Sequence, residues 1–420
     1  MKASPDAPSR CPIAPAPQGG WFEARRRWLV LAMLFFASFL NYFDRQTLSV
    51  LKPTIKLEFG LTDAHYSVLV TAFMAPYIVM YVLGGRLVDK VGARFSMALF
   101  VGVWSLATAA TGFVRTVWQL GACRFVLGVA EPGNWSGGVR ALATLFSAGE
   151  RGLAISVIQA GSAIGSMVAP PLIAFMALNY GWRSAFWIPG VLGLLWVAAW
   201  YACYRPADDA VPADQPAAPR WRELMRRREF WGLVLARGVS DPVWYFYLFW
   251  VPGYLQENVG LSLAAAGAVG WIPFLFADAW GIGSSALSDK FVRNGTPPVV
   301  ARKRVLFAMA CVGPLGALAP HLDSVAAILA IFSLACAMCL TWTFNTSTVV
   351  ADIFPRNATG SVIGAMGAAG ATGGLLFNAY IGGVVDRIGY TPVFAVTGLL
   401  HPLAALILAA LLRPAKPAHP

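Results

Sequence analysis

Apolar residues run in long blocks through most of this chain, and short polar or Gly/Pro-bearing stretches separate them. The blocks fall at about 28–50, 63–86, 95–113, 118–142, 151–178, 184–203, 230–256, 263–288, 303–320, 325–350, 360–384 and 391–412. Each approaches the roughly 20 residues that carry a helix across the hydrocarbon core of a bilayer, and the longer ones suit tilted helices. The pattern therefore predicts an all-α integral membrane protein with twelve spans. The first 20 residues are rich in Pro, Ala and Ser and lack an apolar signal-peptide core. They read as part of a polar tail covering 1–27. A second polar stretch, 205–229, holds PADDAVPADQPAAP and then a basic run around Trp221. It predicts a solvated linker ending in a helix at the membrane interface. Two bundles of six spans follow, 28–204 and 230–413, with a tail at 414–420.

Composition agrees with this picture. Of 420 residues, 58% are hydrophobic and only 12% charged, with a mean hydropathy of +0.62. Soluble domains carry about 25% charged residues. The net charge of +12 is placed by topology. With the N-terminus inside, about 23 of the 32 Lys and Arg fall on the cytoplasmic side and about 5 outside. The clusters Arg25–Arg27, Arg226–Arg228 and Arg302–Arg304 sit at span ends, where anionic headgroups attract them. Nucleic acid is therefore not an expected partner, and both termini are expected in the cytoplasm. Cys336 and Cys339 form a C-x-x-C on an expected helix, but no His lies beside them, so neither a metal nor a disulfide is expected. P-loop, G-x-S-x-G and H-E-x-x-H patterns are absent. No cofactor and no enzyme activity are expected.

The two halves repeat. GRLVDKVGAR at Gly85–Arg94 follows the second span, and a degenerate copy around Asp289 and Lys290 follows the eighth. FSAGERG, opening the fifth span at Phe146, is answered by FPRNATG, opening the eleventh at Phe354. Two different segments recurring in one order suggest parallel six-span repeats around a midplane site.

The Gly85–Arg94 segment resembles the loop signature of the major facilitator superfamily. Within that superfamily, NYFDR in the first span and RFVLGVAEPGNWSGG in the fourth resemble the anion:cation symporters. RGVSDPVWYFYLFWVPGYL in the seventh resembles bacterial hexuronate transporters. The resemblance runs from Trp28 to Arg413. It implies a bacterial inner-membrane protein, acting as a monomer, that imports a sugar acid anion together with protons. Aldonates such as galactonate, and aromatic or dicarboxylic acids, are the alternative cargoes. The signature implies a gate built from Gly85, Asp89, Lys90, Gly92 and Arg94, with Asp89 reaching a helix N-terminus or a basic group of the other bundle.

Charges inside the spans point to the chemistry. An ionised side chain near the bilayer centre costs at least ~2.5 kcal/mol, so it survives facing protein or water. Asp44 and Arg45 lie in the first span, after its apolar run from Trp28 to Phe43, and Arg124 and Glu131 lie in the fourth. A guanidinium offers a planar two-toothed fork to a carboxylate, and the resemblance gives Arg45 that role. It implies that Asp44 and Glu131 carry protons. Adjacent helical residues point about 100° apart. Arg45 is therefore expected to face the cavity and Asp44 the fourth span. Arg124 and Glu131 share a face at seven residues' spacing, too far for an intrahelical pair. Arg124 either meets Glu131 through water or substrate or pairs with Asp44. Tyr42 and Tyr77 are candidate hydroxyl contacts, as are Gln159, Asn345 and Asn378, whose amides need partners inside a span. Trp244 is a candidate stacking wall. Arg237 and Asp241, four apart on the seventh span, are expected to bridge each other. Asp278, mid-span in the eighth, has no cation near it in sequence.

Overall fold

The computed structural model describes residues 21–146, 151–205, 208 and 221–412. Among these the chain is helical throughout, with no strand. The first half comprises α1 (Trp21–Val50), the short α2 (Lys52–Phe59), α3 (Asp63–Thr111), α4 (Val117–Ala130), α5 (Gly133–Leu145), α6 (Arg151–Tyr180) and α7 (Ser184–Cys203). The second half comprises α8 (Trp221–Met225), α9 (Arg228–Phe249), α10 (Val251–Glu257), α11 (Leu263–Val269), α12 (Ile272–Arg293), α13 (Pro298–Ala310), α14 (Val325–Ile353), α15 (Arg356–Ile388) and α16 (Thr391–Leu411). A 3₁₀ segment, Gly313–His321, continues α13.

Ten segments among the described residues are long and apolar enough to cross a membrane. The other two expected spans are broken helices. The fourth is α4 followed by α5, interrupted at Glu131–Pro132, because Pro132 has no N–H to donate to the ladder. The seventh is α9 followed by α10, interrupted at Trp250–Val251 just before Pro252. The fourth is split into helices of 14 and 13 residues, each too short to cross alone, and the seventh carries Arg237 and Asp241 in the middle of α9.

Three expectations need correction. Trp21–Arg27, expected in the tail, already belongs to α1, which extends a turn and more beyond the apolar block. Residues 1–20, 206–207, 209–220 and 413–420 lie outside the described residues. The second and third spans are joined without a loop: α3 runs through both and kinks at Gly92, whose φ of 85° is open to glycine at little cost. A helix does form at Trp221, but it spans only five residues.

Small residues set how closely the helices approach. A Cβ on Gly128 would lie 2.1 Å from the Phe73 carbonyl oxygen, so α4 rests directly on α3. Gly373 would meet the Gly238 carbonyl oxygen at 1.9 Å, seating α15 on α9. Between the halves, α3 packs on α15 and α6 on α11 and α12. The α3–α15 seam is tight at Gly382, where a Cβ would lie 2.3 Å from the Asp63 carbonyl oxygen. It still holds at Gly367, against the Tyr81 ring. On the same face, Gly364 and Gly360 meet nothing within 4 Å. The halves thus meet at the end away from the chain termini and splay apart toward the termini.

Candidate functional site

The closed end is clasped by charge. Lys52 is fully buried just after α1, and its ammonium meets Asp63 at 2.6 Å, Glu257 at 2.8 Å and the Tyr390 hydroxyl at 2.7 Å. Trp250, Tyr66 and Tyr390 face it with their rings, Trp250 at 4.8 Å. Lys56 joins the same two carboxylates at 2.9 and 3.0 Å. Asp386 accepts from the N–H groups of Asp63 and Ala64 at the start of α3, where an anion suits the helix N-terminus. Tyr66 donates to the Phe249 carbonyl and Gln256 to that of Val50. Every one of these contacts except the Lys–Asp63 pairs and the Lys52–Tyr66 ring contact crosses from one half to the other.

Below the clasp lies the cluster that the mid-span charges foreshadow. Arg45 donates from Nε to Glu131 Oε2 at 2.6 Å and from Nη2 to the Tyr77 hydroxyl at 3.0 Å. Its guanidinium lies 4.8 Å from the Tyr77 ring centroid, 4.9 Å from Tyr42 and 5.8 Å from Phe73. The helix break at Glu131 and the close seating of Gly128 on Phe73 bring the fourth span within reach of the first. Asn41 donates to the Glu131 carbonyl at 3.5 Å and Asn134 to Ser38 at 3.1 Å, tying the two spans on either side of the pair.

Asp44 makes its hydrogen bond to the third span, while Glu131 and Arg124 of the fourth act on it through their charge. It accepts from Thr108 at 3.1 Å, on the second limb of α3. Since Arg45 takes the fourth span through Glu131, the rotation to the preceding residue carries Asp44 toward the third. Arg124 makes no direct ion pair with Asp44 among the described residues. Its Nε and Nη2 have no hydrogen-bond partner, and its guanidinium lies over Phe186 at 5.6 Å. Asp44 Oδ1 and Glu131 Oε1 are likewise buried without a partner. Arg124 nevertheless sits in the field of both carboxylates.

The remaining candidates divide. Tyr42 and Tyr77 join Arg45 directly. Gln159 is exposed on α6 and Trp244 sits half-buried, edge-on to Phe274. Asn345 is consumed by packing: it accepts from Ser288 and donates to the Thr341 carbonyl and to Ser284. Asn378 accepts from Trp250 Nε1 at 2.6 Å and donates to the Gly374 carbonyl. Both are fully buried. Arg237 and Asp241 pair at 2.8 Å as their spacing predicts. Asp278 is half-buried and makes no ion pair or hydrogen bond among the described residues. No metal-ligand group occurs among them either.

At the splayed end, Gly92 turns the chain and Arg94 donates to the Tyr201 carbonyl at 3.1 Å, within its own half. Gly85 lies near Ser136, Lys90 is exposed, and the Asp89 side chain lies outside the described residues. In the second half Arg302 gathers Asp289 at 2.6 Å, Asp352 at 3.5 Å and Ser288. The Arg94–Tyr201 contact and the contacts of Arg302 stay within their own halves, and the Gly360–Gly364 face of α15 is open.

Sequence reasoning missed Thr108, Tyr81 and the Lys52 clasp. Tyr81 follows Tyr77 by four residues on one helix face, a signal that was readable. Lys52, Asp63 and Glu257 each lie at a span end, where charge is ordinary, so their convergence had no local mark.

Comparison with known proteins fits this architecture. The sequence profile of the Major Facilitator Superfamily matches residues 34–349. The hexuronate transporter of Escherichia coli (strain K12) is 29% identical, covering 91% of this chain and 93% of its own. A probable L-galactonate transporter of the same strain is 32% identical over 72% of this chain and 71% of its own. A bacterial homologue of the human lysosomal transporter Spinster, solved in an inward-facing and occupied conformation, superposes with a TM-score of 0.74 at 19% identity, covering 91% of both chains. Profile, relatives and fold agree: this chain belongs to the Major Facilitator Superfamily, as a multi-pass membrane transporter of its sugar-acid and organic-anion branch.

Proposed function

We propose that this protein is a proton-coupled symporter that imports a sugar acid anion, a hexuronate such as glucuronate or galacturonate, by alternating access. The observation that carries this reading is the buried Arg45–Glu131 pair inside its tyrosine cage. A substrate carboxylate that takes the Arg45 fork displaces Glu131. Leaving one member of a buried pair charged and alone costs about 3–5 kcal/mol. A proton on Glu131 removes that cost, so anion entry and proton uptake become one exchange at one guanidinium. Charge balance agrees. Asp44, Arg45, Arg124 and Glu131 sum to zero, and a monoanion makes the site negative until a proton joins it. Asp44, with one open oxygen, offers a second place for a proton, and Arg124 holds the field between the two carboxylates.

Tyr42, Tyr77, Gln159 and Trp244 supply hydroxyl, amide and ring surfaces for a polyhydroxylated cargo. In this state Asn345 and Asn378 are spent on helix contacts and would reach substrate only after rearrangement. Lys and Arg placement puts the termini, and hence the open end, in the cytoplasm of a bacterial inner membrane. The bundles 28–204 and 230–413 then rock about the site as a monomer, with the Lys52 clasp closing the outside. Proton and anion must bind the two states with different affinity to drive that shift. An aldonate is the second reading, favoured by the galactonate-named relative. Glu131→Gln provides the test. Exchange of labelled hexuronate across a vesicle membrane persists, while accumulation driven by a proton gradient falls to the equilibrium level. Full gradient-driven accumulation by this variant excludes Glu131 from coupling.

A further inference from the structure

The second half brings its own ion pair to the site. Arg237 donates from Nε to Asp241 Oδ2 at 3.1 Å, with Nη2 at 2.8 Å from the same oxygen. Ser240 donates to Oδ1 at 3.5 Å. The pair is pressed against α15, where a Cβ on Gly370 would lie 1.9 Å from Asp241 Oδ2, so Asp241 has little freedom to swing away. Both side chains keep a narrow opening, 12% and 14% exposed.

Gly367 and Gly370, about one turn apart on α15, meet Tyr81 and Asp241 respectively, which sets the pair beside the tyrosine that packs on the Arg45 cage. The Tyr81 hydroxyl stands in the field of Arg45 from one half and of Arg237 and Asp241 from the other. Tyr245, one turn beyond Asp241, stands in the field of Asp241, Arg45, Tyr77 and Tyr81 together. Tyr81 packs on Tyr77 at 5.7 Å between ring centroids. On the proposed reading, Arg45 frees its fork when Glu131 takes a proton, whereas Arg237 stays occupied by a carboxylate that Gly370 holds in place.

Resting on the reading of this space as a sugar acid site, we propose that Asp241 selects for monoanionic sugar acids by keeping Arg237 from accepting a second carboxylate. Hexuronates and aldonates place hydroxyl or carbonyl groups at the end remote from their carboxylate. The Arg237–Asp241 pair, a donor and an acceptor side by side, suits such neutral groups. An aldarate places a second carboxylate there, and it meets Asp241. Like charges set against each other in a poorly hydrated site exclude a partner more strongly than any lost contact.

The test is competitive binding of glucuronate and galactarate to the purified full-length transporter, with variants changed at each member of the pair. Asp241→Asn frees Arg237 and shifts the ratio of affinities toward galactarate by about tenfold or more. Arg237→Gln leaves Asp241 unopposed and shifts the ratio the other way. Opposite shifts support the proposal. An unchanged ratio in either variant that elutes as a folded monodisperse peak overturns it. Asp241→Ser replaces Asp241→Asn if the latter does not fold. If the unaltered protein binds neither glucuronate nor galactonate, the sugar acid reading itself has failed. The same two variants then judge the pair with the monoanion that does bind and its dicarboxylate homologue.

Discussion

Arg45 gathers what the site needs into one side chain. Its fork holds Glu131 and Tyr77 at once, and three rings enclose it. A lysine could keep the charge but not two fixed directions of donation. Arg45→Lys is therefore expected to weaken substrate binding by about tenfold or more while the protein remains folded, as judged by binding in detergent. Affinity equal to that of the unaltered protein would show that only the charge matters. The charges themselves were legible in the sequence, because a mid-span Asp, Glu or Arg stands out against an apolar run. Their pairing was not. Asp44 and Arg45 had two orientations open to them, and only the seating of Gly128 on Phe73 and the break at Pro132 decided which one reached Glu131. On the proposed reading, the orphaned Nε and Nη2 of Arg124 and the open oxygens of Asp44 and Glu131 are the groups that gain partners as substrate and protons arrive.

At the level of helices, glycine sets distance, and Pro132 and Pro252 sit at the two interruptions. The fourth span breaks at Glu131 itself, whereas the seventh carries Arg237 and Asp241 within α9 and breaks about two turns beyond them. Span positions were largely legible, since the apolar blocks match the helices to within a few residues. The seamless passage of α3 through Gly92 was not, because a single positive φ replaced the expected loop. Close approach also yields a paired prediction along α15. Gly373→Ala drives a Cβ into the Gly238 carbonyl and should lower stability by about 1–3 kcal/mol in thermal melts. Gly360→Ala, facing open space, should change it by less than about 0.5 kcal/mol. Equal melting of both variants would mean that the α9–α15 seam is not rigid.

Across the whole molecule, the two halves are held at one end by the Lys52–Lys56–Asp63–Glu257 clasp and are apart at the other. Burial lowers the pKa of Lys56, but the hydrogen bonds and charges of Asp63 and Glu257 outweigh it and hold the group above its ordinary 10.5. A raised lysine pKa gives stabilisation that is complete below the ordinary value and is lost as pH rises past the raised one. Fluorescent labels at Glu58 and Asn258 should therefore keep a constant separation from about pH 6 to 9 and move apart only above about 10.5. Separation that grows between about pH 7 and 9 would place control of the clasp elsewhere. The clasp was the least legible feature, since its members come from three separate span ends. The central claim, a sugar acid moved with protons through the Arg45 site, is tested most directly by uptake into proteoliposomes. Labelled glucuronate, galacturonate and galactonate would each be supplied with and without an inward proton gradient. The account predicts accumulation of a hexuronate above equilibrium only with the gradient, and none in Arg45→Ala vesicles. Accumulation that ignores the gradient, or that survives the loss of Arg45, contradicts it.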